Sequence, residues 1–323
     1  MRRNALPLGV LIAIAVVVGQ ALLIPLFAAP AANVAPRDLP IAVAGPPGLA
    51  AQLGRDHPGA FKVTAVSDAA TADTKIKSRD VYGAILVTAA GPDVHVASAA
   101  SPVVAQLLTQ AAAGLGAQVP VRDVVPVDAD DPRGAGFGAG FLPLAITSLL
   151  AGVLIFFAVP RRGARLAALA AFGVLGGLAG AGVLVGWLGI LPGGYLAVAG
   201  VLALFAVAVA GTMTGLAALL GRGGLALGAL VMFLVGNALS GIAAAPELLP
   251  QPWGALGQWL PIGAGGTLLR SVAYFDGNGA GFAGAVLVAY AIGGLLLVGL
   301  GRSGITRPEA APVGTAPELV PAG

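Results

Sequence analysis

The chain has 323 residues, of which 58% are hydrophobic and only 10% are charged, and its formal net charge is +3. A soluble domain carries about 25% charged residues, so this composition excludes an ordinary soluble fold. The sequence contains no cysteine, which excludes disulfide bonds, thiolate metal sites and a cysteine nucleophile. The basic residues are better explained as membrane-topology signals than as a nucleic-acid-binding surface, and we expect no nucleic-acid partner.

Six apolar stretches contain no Asp, Glu, Lys or Arg. A bilayer core about 30 Å thick needs about 20 helical residues, and lipid offers no hydrogen-bond partner, so each stretch must close its backbone bonds as a helix. The sequence therefore predicts an α-helical polytopic membrane protein with six transmembrane helices in a 1+5 layout. The six stretches cover residues 5–29, 139–160, 166–188, 195–220, 224–245 and 281–300.

The basic residues near these stretches gather on one face of the predicted bundle. With six spans, the two termini and every second loop share one side, which the positive-inside rule assigns to the cytoplasm. We therefore predict that both termini are cytoplasmic and that residues 30–138 are extracytoplasmic. The residues that carry this assignment are Arg2, Arg3, Arg161, Arg162, Arg165, Arg222, Arg302 and Arg307.

The location of the protein is predicted from its composition and from its first stretch. The chain has 50 Gly and 24 Pro but only three lysines, a bias typical of a GC-rich bacterial genome, so we expect a bacterial plasma membrane. Residues 1–29 are either an N-terminal anchor or a cleaved signal peptide. The apolar run of about 25 residues exceeds the usual h-region of about 7–15, which favours the anchor.

Residues 30–138 combine short β-like runs with helical ones, which predicts a small α/β domain. Strands are predicted at Leu39–Ala44, Phe61–Val66, Tyr82–Val87, Asp93–Ala97 and Val121–Val127. Helices are predicted at Pro47–Arg55, Ala69–Arg79 and Val103–Leu115.

This domain carries no recognisable catalytic constellation. We interpret His57 and His95 as surface or structural residues, and Asp128, Asp130 and Asp131 as a polar linker rather than a calcium site. We therefore predict no catalytic, cofactor-binding or metal-binding residue, and no enzyme activity in this chain.

The five spans within 139–302 are rich in glycines four residues apart, which lets helix backbones approach closely in lipid. Such pairs occur at Gly173 and Gly177, Gly176 and Gly180, Gly182 and Gly186, and Gly211 and Gly215. The spans lack the carboxylates or histidines that proton- and sodium-coupled carriers place in the membrane. The chain also has no phosphate-binding G-x-x-x-x-G-K-[ST] motif, so an ATPase would have to be a separate subunit.

The loop 246–280, predicted on the outer side, is broken by prolines and carries aromatic residues suited to a membrane interface. It is predicted to be re-entrant or interfacial, with short helices at Ala255–Leu260 and Thr267–Phe275; alternatively, it rests on the outer leaflet as an amphipathic loop. Its candidate outer-gate residues are Pro246, Glu247, Pro250, Trp253, Trp259, Pro261 and Arg270.

The pattern of this loop resembles the region before the last helix of ABC-2 type transporter permeases. It consists of Pro246–Pro250 (PELLP), Trp253, Leu260–Pro261 and Leu268–Arg270 (LLR). The outer domain is similar to the YhgE/Pip-like (phage infection protein-like) branch at Leu39–Val43, Val81–Ile85 and Asp123–Pro126. The resemblance implies a homodimeric permease subunit that exports an amphipathic or envelope-associated substrate with a separate ATPase.

Two features depart from the permease pattern. Such permeases usually have an amphipathic helix before the first span, but only four residues precede the first stretch here. They also contact the ATPase through the loop between the second and third spans, which is short in this chain. In that loop Arg161, Arg162 and Arg165 would contact an ATPase or, alternatively, serve as topology anchors and bind anionic lipid. The rival hypothesis is an envelope scaffold whose outer domain binds a partner. The tail, residues 303–323, is predicted to be disordered.

Overall fold

The computed structural model describes residues 5–89, 91–115 and 119–301 of the chain. Most of the described chain is helical, and a five-stranded sheet lies between the first long helix and the others in sequence order. The tail predicted to be disordered and the arginines at 2, 3, 302 and 307 lie outside the described residues.

The secondary structure begins with a long apolar helix, continues with a sheet domain and ends with a group of helices. The strands are β1 Leu39–Ala44, β2 Phe61–Ala65, β3 Gly83–Thr88, β4 Gly91–Val96 and β5 Val121–Asp123. The helices up to the fourth long one are α1 Ala5–Ala32, α2 Leu49–Asp56, α3 Ala69–Lys77, α4 Pro102–Leu115, α5 Ala135–Ala158, α6 Arg162–Ala181 and α7 Tyr195–Leu220. The remaining helices are α8 Arg222–Gly228, α9 Gly236–Leu239, α10 Trp253–Gly257, α11 Pro261–Tyr274 and α12 Gly281–Leu300. Two π-helical segments, Gly182–Trp187 and Ala229–Val235, extend α6 and join α8 to α9.

Six helices are long and apolar enough to cross a membrane, which supports a multi-pass membrane protein. They cover Leu8–Ala32, Ala135–Ala158, Arg162–Trp187, Tyr195–Leu220, Arg222–Leu239 and Gly281–Leu300. The fifth ends six residues earlier than the predicted 245. The backbone turns left-handed at Gly241, with φ 64°, a conformation that glycine adopts without steric cost and that commonly ends a helix.

The helix α7 lies at the centre of the bundle and packs against α5, α6, α11 and α12. The predicted glycine packing occurs on two of its sides. A methyl group added at Gly177 would lie 2.8 Å from Ala203 Cβ, and one at Gly215 would lie 2.7 Å from Leu297 Cβ. In contrast, Gly186 faces open space, so this member of a predicted pair does not pack against a helix.

The helix α1 differs from the rest because it is apolar all round and the most apolar part of the span Leu8–Ala32 is not buried inside the protein. Its leucine, isoleucine and valine side chains are mostly exposed. A helix with this character is stable in lipid rather than in water.

The sheet has the order β2-β1-β3-β4-β5 and is mixed. The strand β1 pairs in parallel with β2 and β3, β3 pairs antiparallel with β4, and β4 pairs in parallel with β5. Four strands lie within two residues of their predicted bounds. The fifth has three residues instead of the predicted seven, although Val124 N–H still donates to the carbonyl of Val96 at 2.8 Å.

Alternation along β1 gives the sheet two apolar faces. On one face, Leu39, Ile41 and Val43 join a buried cluster with α4. On the other, Ala42 and Ala44 join a buried cluster with α3. The domain therefore has a helical layer on each side of its sheet.

Candidate functional site

The segment 246–274 has a buried part and a surface part: α11 packs inside the bundle, whereas α10 and the residue Trp259 after it carry exposed aromatic side chains. It contains a single 3-10 turn, Pro246–Leu248, followed by α10 and α11. The second predicted helix begins at Pro261, six residues earlier than predicted, because Pro261 occupies the first helical position. Small residues, including Gly263, Ala264 and Gly265, are fully buried and let α11 pack closely against α7.

Leu248 in this segment and Phe275, directly after it, insert into the core of the sheet domain. Leu248 is fully buried in the cluster on the α4 face, and Phe275 is 3% exposed in the cluster on the α3 face. Backbone bonds support the first contact, because Ala35 N–H and Arg37 N–H donate to the carbonyls of Leu248 and Glu247 at 3.2 and 2.9 Å. The sheet domain is therefore contacted on both of its faces by this part of the chain.

Between the sheet domain and this segment lies a cavity of about 500 Å³. Its wall combines the start of β1, the residues after α3, the turn at 240–247, α10, α11 and the start of α12. The polar and charged side chains on the wall are Arg37, Asp38, Arg79, Asp80, Tyr82, Ser240, Glu247, Gln251, Gln258, Thr267 and Arg270.

Arg270 is the most deeply buried charge on this wall, with 7% of its surface exposed. It donates from Nη2 to the carbonyl of Ile242 at 3.1 Å, and its guanidinium lies 4.4 Å from the ring centre of Phe137. Burial, reinforced by the charge of Arg79, lowers the pKa of Arg270 to about 10. Arg270 therefore remains a cation at neutral pH.

Arg79 approaches the same cavity from the sheet domain. It follows α3 in a left-handed conformation, with φ 61°, which aims its side chain towards α11. It donates to Thr267 O at 3.1 Å and to the Ser271 hydroxyl, and it stacks 5.1 Å above the ring of Phe275. Burial lowers the pKa of Arg79.

Glu247 is held on the wall by a hydrogen bond from the Tyr82 hydroxyl, 2.8 Å from Oε2. Burial, and then the nearby carboxylate, raises the pKa of Tyr82, so the phenol remains the donor. This bond joins the sheet domain to the predicted gate loop across 165 positions of sequence.

Aromatic residues form the rim of the cavity. Trp259 is 60% exposed and Phe282 is 49% exposed, and their ring centres lie 4.8 Å apart in an edge-to-face arrangement. Trp253 is exposed nearby on α10. Phe282 belongs to the first turn of a candidate membrane span, so this rim lies at the end of the apolar bundle.

The predicted outer-gate residues divide between wall, rim and scaffold. Pro246, Glu247 and Arg270 line the cavity, Trp259 lies at the rim, and Trp253 is exposed on α10. Pro261 starts α11, and Pro250 is half-buried. Sequence reasoning missed Arg79 and Tyr82, because these residues reach the cavity only when the sheet domain docks on α11. The one available signal for a buried polar site in the sequence was Arg270, a single charged residue within an otherwise uncharged helix.

The predicted ATPase-contact arginines also divide. Arg161 and Arg162 are exposed, and Arg162 Nη1 donates to Gly299 O at 3.2 Å. Arg165 is 1% exposed and donates to the carbonyls of Val159 and Phe156 at 2.7 and 3.1 Å. These carbonyls lie at the C-terminal end of α5, where they have no intrahelical partner. Arg165 therefore supplies hydrogen-bond donors to the end of this helix.

A second polar cluster lies in the sheet domain. His95 is 2% exposed, with Nδ1 2.5 Å from Asp73 Oδ1 and Nε2 3.2 Å from Asp93 Oδ2. Asp131 accepts from Gly136 N–H at 2.8 Å and caps α5. Within the described ranges no group of three or more His, Cys, Asp or Glu could hold a metal ion.

Comparison with protein-family models, with curated proteins and with solved structures finds no match for this chain.

Proposed function

We propose that this chain is an ABC-2-like permease subunit of a bacterial plasma membrane, acting as a homodimer with a separate ATPase to export an amphipathic or envelope-associated substrate. The observation that carries the proposal is the cavity between the re-entrant segment and the sheet domain. Ligand sites are concave and combine apolar walls with a few polar groups. This cavity has both, and it opens next to an aromatic rim at the end of the bundle.

The proposed orientation is a 1+5 arrangement with the sheet domain outside. One long apolar helix precedes the sheet domain in the chain and five follow it. Arg161, Arg162 and Arg222 lie at the opposite end of the spans from the cavity, and the positive-inside rule assigns that end to the cytoplasm. The sheet domain and the cavity are then extracytoplasmic.

The absence of cysteine makes this orientation directly testable. Gln52 on α2 and Gly163 on α6 are both exposed. In intact spheroplasts, Gln52→Cys is expected to react with a membrane-impermeant maleimide, and Gly163→Cys only after permeabilisation. The reverse pattern would place the sheet domain in the cytoplasm.

The energy source is expected to be a partner. Purification of the full chain from its native membrane in mild detergent should recover a nucleotide-binding subunit, and the complex should hydrolyse ATP. Arg161→Ala combined with Arg162→Ala tests the contact, because both side chains are exposed. This pair should lower recovery of the ATPase several-fold, while Arg55→Ala on α2 should not. Repeated purification without any ATPase would rule out the permease proposal.

A non-transport scaffold is the second candidate, and one observation favours it. The turn between α5 and α6 consists of three residues, 159–161, and the neighbouring Arg165 is buried, which leaves little surface for an ATPase. A scaffold would act through its outer domain. Recovery of envelope proteins that are lost when residues 35–130 are deleted, with no ATPase, would support this candidate.

A further inference from the structure

We infer that Arg79 and Arg270 bind the oxyanion headgroup of an amphipathic substrate, whose apolar part lies over Trp259 and Phe282. The inference rests on the proposed function, because it names the chemical class of the molecule that the cavity receives. It can be tested on the purified chain without an ATPase.

The first step is the charge of the wall. Among the residues that the structure describes, no carboxylate oxygen lies within 4 Å of the Arg79 or the Arg270 guanidinium. Carbonyl and hydroxyl oxygens hold both groups. The negative charge of Glu247 acts on Arg79 without forming an ion pair, whereas no carboxylate of the described residues acts on Arg270. A buried charge without a counter-ion is costly, so an anion that enters would be strongly favoured.

The second step is the state of the acidic residues on the same wall. Glu247 accepts a bond from Tyr82 at 2.8 Å, and Asp80 lies 3.6 Å from Lys75 Nζ. Asp38 is exposed at the edge of the cavity. Glu247 keeps its negative charge while it accepts this bond and acts on the half-buried Arg79, but none of these carboxylates forms an ion pair with Arg79 or with the buried Arg270.

The third step is the donor capacity of Arg270. A guanidinium carries five N–H donors in a planar fork that matches carboxylate and phosphate oxygens. Within the described residues Arg270 donates one hydrogen bond, from Nη2 to Ile242 O. The remaining donors belong to a side chain that lines the cavity, as a headgroup site requires.

The fourth step is the apolar rim. Ala255, Phe282 and Ala283 line the cavity together with the arginines, and Trp259 contacts Phe282 at its edge. A free inorganic ion would gain nothing from this surface. A molecule with an anionic head and an apolar tail would place each part against matching chemistry, which favours an amphiphile over a free phosphate.

Trp259 supplies the readout. Trp187→Phe and Trp253→Phe leave it as the only tryptophan of the chain. In zwitterionic mixed micelles, we expect phosphatidylglycerol with brominated acyl chains to quench Trp259 at about tenfold lower mole fraction than equally brominated phosphatidylcholine. Arg270→Gln or Arg79→Gln should reduce this preference to less than about twofold.

Two controls keep the result interpretable. Arg55→Gln removes an exposed arginine of the sheet domain and should keep the full preference. Arg270→Lys retains the charge without the fork and should keep part of it, which covers the case in which Arg270→Gln fails to fold. Circular dichroism and a monodisperse elution profile define the folded variants.

Equal quenching by the two lipids would overturn the inference, and so would an unchanged preference in both arginine variants. A third outcome separates the sources of the oxyanion. If inorganic phosphate raises the thermal midpoint only while Arg270 is present, and no lipid preference exists, a free oxyanion is the ligand and the amphiphile is ruled out. A positive lipid result without any ATPase partner would keep this site and reject the permease.

Discussion

Gly177→Leu is expected to prevent recovery of the folded protein, whereas Gly186→Leu is expected to leave it intact. Gly177 is buried where α6 crosses α7, and a Cβ there would lie 2.8 Å from Ala203 Cβ and 2.9 Å from Ala203 N. The second atom belongs to the backbone and cannot rotate away. The two helices would have to separate, and in lipid their association depends on this close approach.

The size of the effect follows from overpacking. Inserting a side chain into a packed core costs typically 1–3 kcal/mol and more where backbone must move, so about 3 kcal/mol or more is expected for Gly177→Leu. Gly177→Ala should fall between this variant and the parent. Thermal midpoints in detergent, read by size-exclusion chromatography after heating, measure the difference.

The matched control is Gly186, which lies on the same candidate span with no heavy atom within 4 Å of an added Cβ. Leucine there gains helix propensity, and its Cβ meets no heavy atom within 4 Å. Equal loss in both variants would mean that leucine harms this span for reasons other than the α6–α7 contact, and equal tolerance would mean that the contact is not tight.

Much of the architecture could be predicted from local sequence. Lipid forces apolar stretches into helices, so the existence of the spans follows from composition. Strands such as β1 follow from β-branched residues bounded by Asp and Gly. The predicted bounds are wrong where a single backbone conformation ends a helix, as at Gly241, where a left-handed turn ends the fifth span early.

The candidate site was less predictable because its parts come from distant positions. Arg79 and Arg270 are separated by 191 positions, counted from their numbers, and share a cavity only after the sheet domain docks on α11. The prolines and aromatic residues of the loop 246–280 predict an outer gate, but no local pattern states that Leu248 and Phe275 enter the core of the sheet domain. Likewise, Arg165 looks like a topology anchor in sequence, and only its two carbonyl partners reveal a role in ending α5.

The docking contact gives the second large expected effect, since Phe275→Ala should loosen one face of the sheet domain while the bundle stays folded. Phe275 is 3% exposed among Ile76, Val81 and neighbouring alanines. Truncating a buried phenylalanine costs about 3–5 kcal/mol. Arg79 also loses the ring on which its guanidinium stacks.

Hydrogen–deuterium exchange resolves which face responds. In Phe275→Ala, uptake should rise in α3, residues 69–77, and stay unchanged in α7, residues 195–220. Leu248→Ala should instead raise uptake in α4, residues 102–115, because Leu248 packs in the cluster on the opposite face. Phe157→Ala removes a phenylalanine that is 49% exposed and should alter neither face.

The exchange measurements on the two faces of the sheet test the candidate site as well as the fold. If the re-entrant segment holds the sheet domain from both sides, each truncation frees one face, and the cavity between Arg79 and Arg270 loses its fixed geometry in both. Uptake that rises on both faces in either variant would show that the sheet domain is held as one unit. Unchanged uptake in α3 of Phe275→Ala would show that the docking contact does not stabilise that face, and the cavity would then lack the rigid wall that a specific headgroup site requires.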